Sequence, residues 1–101
     1  MAKIEVTYKH SIKSEPKLRG SIWTALIEVL EIEFNAEELF IEGDFGDINF
    51  NCTLGGVFVK GVVQLHEESV DISLKVPLVA MIYKGKIIEK LNEKIPEYLK
   101  E

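Results

Sequence analysis

From Lys3 to Lys9 the chain alternates, with Ile4, Val6 and Tyr8 on one side and Lys3, Glu5, Thr7 and Lys9 on the other. Successive side chains of a strand point to opposite faces, so this rhythm predicts a half-buried strand. From Ser14 the period changes to threes and fours through Leu18, Ile22, Ala25, Leu26, Val29 and Leu30, with Trp23 and Ile27 widening the stripe. That is an amphipathic helix: Ser14 suits its N-cap, Glu15 its positive end and Pro16 its first turn. Gly20 costs about 1 kcal/mol against alanine inside it, which predicts fraying of the first turn or a later start. The helix is expected to end near Glu33-Phe34-Asn35.

Short, turn-punctuated strands follow. Leu39 and Ile41 flank Phe40, and Glu42-Gly43-Asp44-Phe45-Gly46-Asp47 reverses the chain. Ile48, Phe50, Cys52 and Leu54 then alternate with Asn49, Asn51 and Thr53. Gly55-Gly56 makes the next reversal, after which Val57, Val59, Val63 and Leu65 share a side with Gly61 between them. His66-Glu67-Glu68-Ser69 turns the chain into Val70, Ile72, Leu74 and Val76. Loops this short join antiparallel neighbours, because parallel pairing needs a long crossover. Pro77 to about Lys100 reads as a closing helix, with Val79, Ile82, Lys86, Ile87, Leu91, Ile95 and Leu99 on the helical period and a kink or end at Pro96. Lys86/Glu89, Lys90/Glu93, Lys94/Glu97 and Glu97/Lys100 are expected to pair along its wet side.

The order β-α-β-β-β-β-α, with sheet positions dry on one side only, gives both helices a single place to bury their stripes. The predicted fold is an α+β two-layer sandwich, with about five antiparallel strands and two helices on one face. Residues 1–101 are one domain, since 101 residues leave no room for a second core. The third segment of the sheet departs from the rule, because Phe58 and Val62 point to its polar side. A strand apolar on both sides is either central or meets another chain.

Charge narrows the partners. The net charge of −5 hides five basic residues against two acids in 1–19, then eight acids with no base in 20–59. The acidic stretch repels phosphate, and a single arginine gives little bidentate readout, so nucleic acid is excluded as a partner. The stretch reads as a solvated face or as a docking surface for a basic partner. No 18-residue apolar run exists, so no transmembrane segment is expected, and the charged opening resembles no secretory leader. The single cysteine, Cys52, suits a reducing, cytoplasmic location.

Catalytic chemistry is sparse. Cys52 sits in an alternating strand as a buried thiol, His10 as a hydrogen-bonded or exposed connector, and His66 in an exposed turn. Glu42, Asp44 and Asp47 lack the order of a calcium loop and fit turn chemistry. One cysteine and two distant histidines do not make a zinc set. No cofactor, metal or catalytic residue is therefore assigned. The stretch Val76–Tyr83 is more apolar than one helix face requires. Phe58, Val62, Val79, Met81, Ile82 and Tyr83 are the candidate apolar interaction surface, unless the stretch packs deeply across the sheet.

Several short motifs carry a family likeness. They are the strand Ile4 to His10, Glu42-Gly43-Asp44 before Ile48-Asn49-Phe50, Gly61-Val62-Val63 with Val70-Asp71-Ile72-Ser73-Leu74, then Pro77-Leu78 and Lys84-Gly85-Lys86-Ile87-Ile88. With the order of elements they make the chain resemble the polyhydroxyalkanoic acid system protein family, small bacterial domains linked to polyester storage granules. The resemblance implies a non-enzymatic accessory or binding protein in the cytoplasm. Its expected partner is a polyester granule, a lipid-like surface or a protein, a second copy of the chain included. The alternatives are a helix-grip-like domain holding a hydrophobic small molecule, and a structural or dimerisation domain.

Overall fold

The computed structural model describes residues 2–100. Five strands form one antiparallel sheet: β1 (Ala2–Lys9), β2 (Glu37–Asp44), β3 (Asp47–Leu54), β4 (Val57–Leu65) and β5 (Ser69–Val76). Their order is β1-β5-β4-β3-β2. β1 thus returns to pair with the last strand, and the chain crosses the sheet through α1 (Glu15–Ile27) to start again at the far edge. The expected α+β architecture and element order hold.

The register explains the layering. Ile4, Leu74, Gly61, Phe50 and Ile41 lie in one cross-strand row, and Val6, Ile72, Val63 and Ile48 in the next. These rows face Leu18, Ile22, Ala25 and Leu26 of α1 and Ile87, Leu91 and Ile95 of α2 (Lys84–Tyr98) in a single core. Gly61 is required here: a Cβ on it would stand 2.2 Å from the Phe50 ring, which fills the space of the missing side chain. β4, with Phe58 and Val62 on its outward side, is the middle strand.

Local chemistry sets the boundaries. Ser14 caps α1, its Oγ accepting from the Lys17 N–H at 3.4 Å, and the helix begins at Glu15 without fraying at Gly20. Beyond Ile27 the helix widens into a π-helical turn, Glu28–Glu33. Asn35 ends it in the left-handed region at φ 55°, and the Ala36 N–H reaches back to the Leu30 carbonyl at 2.8 Å. Gly55 and Gly56 both take positive φ, 55° and 82°, the two-residue hairpin whose twist matches its strands. In β2, Glu38 adopts φ 52° where the register with β3 shifts, a bulge the alternation did not announce.

Two expectations for the closing segment change. The helix is not continuous from Pro77. Leu78–Tyr83 is a 3₁₀ segment, and α2 starts only at Lys84. At three residues per turn, Val79 and Ile82 stack on one ridge instead of joining the Ile87–Leu91–Ile95 stripe. Pro96, for its part, does not stop the helix, which runs on to Tyr98. Of the anticipated ion pairs along α2, Lys90–Glu93 forms at 3.5 Å. Lys90 and Lys94 also cross to the first helical layer, meeting Glu33 at 3.5 Å and Glu28 at 3.4 Å. Two carboxylates of the acidic stretch thereby have basic partners from far along the chain.

Candidate functional site

Pro77 ends β5 in an extended conformation, and the Ala80 N–H donates to its carbonyl at 2.9 Å, which opens the 3₁₀ segment. Only Ala80 is buried and Met81 half-buried against the core. Leu78, Val79, Ile82 and Tyr83 keep 76, 70, 78 and 57% of their surface in water. Deep packing across the sheet, the other reading of this stretch, is therefore confined to two residues of the segment. Beside the Val79–Ile82 ridge lies a groove of about 390 Å³. Leu54 and Val57 from the Gly55-Gly56 hairpin, Val76 and Phe34 form its walls, with Ile87 of α2 behind. That volume lies within the roughly 300–1,000 Å³ of ligand pockets.

Lys86 is the charged residue that lines the groove. It belongs to the first turn of α2, which carries Lys84 and Lys86, no acid and no side-chain cap. Cations at a helix N-terminus oppose the macrodipole, so an anionic group is favoured at this mouth. The arrangement is amphipathic: an apolar wall and ridge with amines and the Tyr83 phenol at the rim.

The six residues singled out by sequence do not form one surface. Val79, Ile82 and Tyr83 line the groove, while Met81 turns partly into the core. Phe58 and Val62 lie on the outward flank of β4, opposite the side on which Val57 and Val59 line the groove. Sequence reading missed Leu78, Phe34, Leu54 and Lys86. The first was legible as part of the over-apolar run, whereas the others reach the groove only through tertiary packing.

The reactive side chains are engaged elsewhere. Cys52 is buried beside its register partner Val59, and burial pushes its thiol up to about 11. His10 and His66 meet at the other end of the sheet. The Ile12 N–H donates to His10 Nδ1 at 3.1 Å, which leaves Nε2 to donate to the His66 carbonyl at 2.9 Å. His66 Nε2 lies 3.0 Å from Asp71 Oδ2, and Thr7 Oγ1 donates to Asp71 Oδ1 at 2.7 Å. The Thr7 hydroxyl and then His66 hold the Asp71 carboxyl below its ordinary value. Asp44 accepts from the Phe45 N–H at 2.7 Å, the turn chemistry expected of that acidic cluster. Among the described residues no three His, Cys, Asp or Glu side chains gather to hold a metal ion. No helix among them is long and apolar enough to cross a membrane.

These features define a two-layer α+β domain with an apolar, lysine-rimmed groove at one end. Comparison with models of known families and with curated proteins finds no match for the chain.

Proposed function

We propose that this chain is a non-enzymatic accessory protein of the cytoplasm that docks on an apolar surface, a lipid-coated or polyester granule, through the 3₁₀ ridge and groove. The observation that carries the reading is the exposure of Val79, Ile82 and Tyr83 at the groove, with Leu78 exposed in the same 3₁₀ segment. A folded domain gains nothing by holding four large apolar side chains in water; laid on an apolar phase, they regain about 25 cal/mol for each Å² removed from water. Lys84, Lys86 and the Tyr83 hydroxyl then sit at the level of polar head groups. The resemblance to polyhydroxyalkanoic acid system proteins supports the same reading.

Co-sedimentation tests it. The protein is expected to pellet with polyhydroxybutyrate granules or anionic lipid droplets, and a Val79→Ser/Ile82→Ser variant to remain in solution. Wild-type protein that stays wholly in the supernatant overturns the proposal.

The groove's own dimensions favour a second reading, in which a single hydrophobic acid inserts its chain among Leu54, Val57 and Val76 and sets its carboxylate at Lys86. Thermal melts across a fatty-acid series separate the two. A ligand at a hundredfold excess over its Kd adds about 2.7 kcal/mol and raises the Tm, whereas a surface-docking protein melts at the same temperature throughout.

A further inference from the structure

The groove end of the molecule has a second flank. The Gly55-Gly56 hairpin carries Leu54 and Val57 into the groove, but Phe58, the next residue, points to the open side of the sheet and keeps 51% of its surface in water. The chain leaves β5 at the same end, where Val76 lines the groove and Leu78–Tyr83 follows. Exposed apolar side chains therefore stand on both flanks of one end, with two glycines at its tip.

Cations follow one step behind them. Two residues past Phe58, ~7 Å along the strand, Lys60 meets Lys75 of β5 across the register, and Lys3 continues the row on β1. Glu5 holds Lys3 at 3.0 Å. Lys60 and Lys75 have no carboxylate within ion-pair distance among the described residues, and neither have Lys84 and Lys86 on the groove flank. Like charges directly opposite in a sheet repel, so an anion from outside relieves the Lys60–Lys75 pair. The other end of the sheet is different: there Lys13 lines a pocket together with Glu15, Glu67 and Glu68.

Resting on the docking reading above, we propose that the partner of this end is an anionic lipid layer, entered end-on so that both flanks are wetted. An end that sinks ~5–10 Å past the headgroups removes Phe58, Val79 and Ile82 from water. Lys60 and Lys75 on one flank, with Lys84 and Lys86 on the other, then lie at headgroup level, their stems along the apolar side chains and their amines on the lipid anions. Glu37 and Glu38 stand on β2, the edge strand three places from β5, so the β5 side enters deepest. The net charge of −5 disfavours adsorption without orientation, which leaves headgroup charge to select this end.

Co-sedimentation with phosphatidylcholine vesicles, with and without phosphatidylglycerol, tests the inference. Binding is expected to rise with the phosphatidylglycerol share and to fall at ~0.5 M salt, where exposed charges are screened. Lys60→Gln/Lys75→Gln is expected to lower affinity for the anionic vesicles by about twentyfold, and Phe58→Ser by about tenfold. Lys13→Gln/Lys17→Gln removes the same charge from the opposite end and is expected to bind as wild type does. Melting temperatures that match wild type identify these as effects on docking, since all five positions are exposed. Wild-type protein that binds polyester granules yet ignores phosphatidylglycerol overturns this inference and leaves granule docking standing, whereas protein that binds neither overturns both. Equal losses from the two lysine pairs overturn it as well, because bulk charge then accounts for the binding.

Discussion

At the end of the sheet where β1 gives way to α1, side chains hold the backbone. His10 bridges the Ile12 N–H and the His66 carbonyl. Arg19 donates from Nη1 to the Asp47 carbonyl and from Nη2 to the Asp44 carbonyl, both at 2.9 Å, while Nε holds Glu15 at 3.0 Å. At the opposite end, between the Gly55-Gly56 hairpin and the 3₁₀ segment, no comparable clasp forms among the described residues, and aliphatic side chains are left in water. The same sheet supports both ends. What separates them is chemistry at the chain reversals: polar groups that satisfy carbonyls lock one end, and an apolar run that lacks them leaves the other open. The exposed apolar end is the one on which the proposed docking rests.

That contrast can be broken first at its shared support. Phe50→Ala removes the ring that fills the space over Gly61 and is expected to cost ~3–5 kcal/mol, read as a fall in the denaturant midpoint. Because the ring is central, both ends are expected to loosen together, giving faster amide exchange at His66 and at Val57 alike. Arg19→Ala acts on the locked end alone. It leaves two backbone carbonyls without their charged donor and is expected to cost about 1.5–3 kcal/mol. Its exchange signature is confined to the Asp44–Asp47 turn and the start of α1.

pH sharpens the comparison through a third contact, where Tyr98 donates to Glu28 between the helical layers. The Tyr98 hydroxyl, and then Lys94, hold Glu28 below its ordinary value, and the same hydrogen bond raises Tyr98. The lowered Glu28 and Asp71 values add stability that is whole above the usual carboxylate range near ~4 and fades as pH falls through it. The raised Tyr98 value, with Lys90 raised chiefly by Glu93 and Glu33, adds stability that is whole below ~10 and fades as pH rises beyond. Melting temperatures are expected to form a plateau between these limits. Glu28→Gln is expected to lower both shoulders. The smallest effect belongs to the open end: Val79→Ser/Ile82→Ser is expected to change stability by under ~0.5 kcal/mol while abolishing attachment to granules. A large loss of stability there would show that the ridge serves the core.

The chain's periodicities determined the element order, the dry side of the sheet and the covering helices. Alternation and helical spacing are local, and each leaves its apolar residues a single place to go. Ser14, Gly55-Gly56 and Asn35 were legible for the same reason, since caps and tight reversals depend on a few neighbouring residues. Tertiary structure alone decided the rest. The stretch after Pro77 reads on paper as part of one continuous helix, whereas the structure winds Leu78–Tyr83 as 3₁₀, with Ala80 and Met81 toward the core and Val79 and Ile82 outward. Glu28 and Glu33 counted as unpaired in the acidic stretch until α2 brought Lys94 and Lys90 across. The lysine row of Lys3, Lys75 and Lys60 joins residues up to 72 positions apart, a juxtaposition that strand register creates and spacing along the chain does not contain.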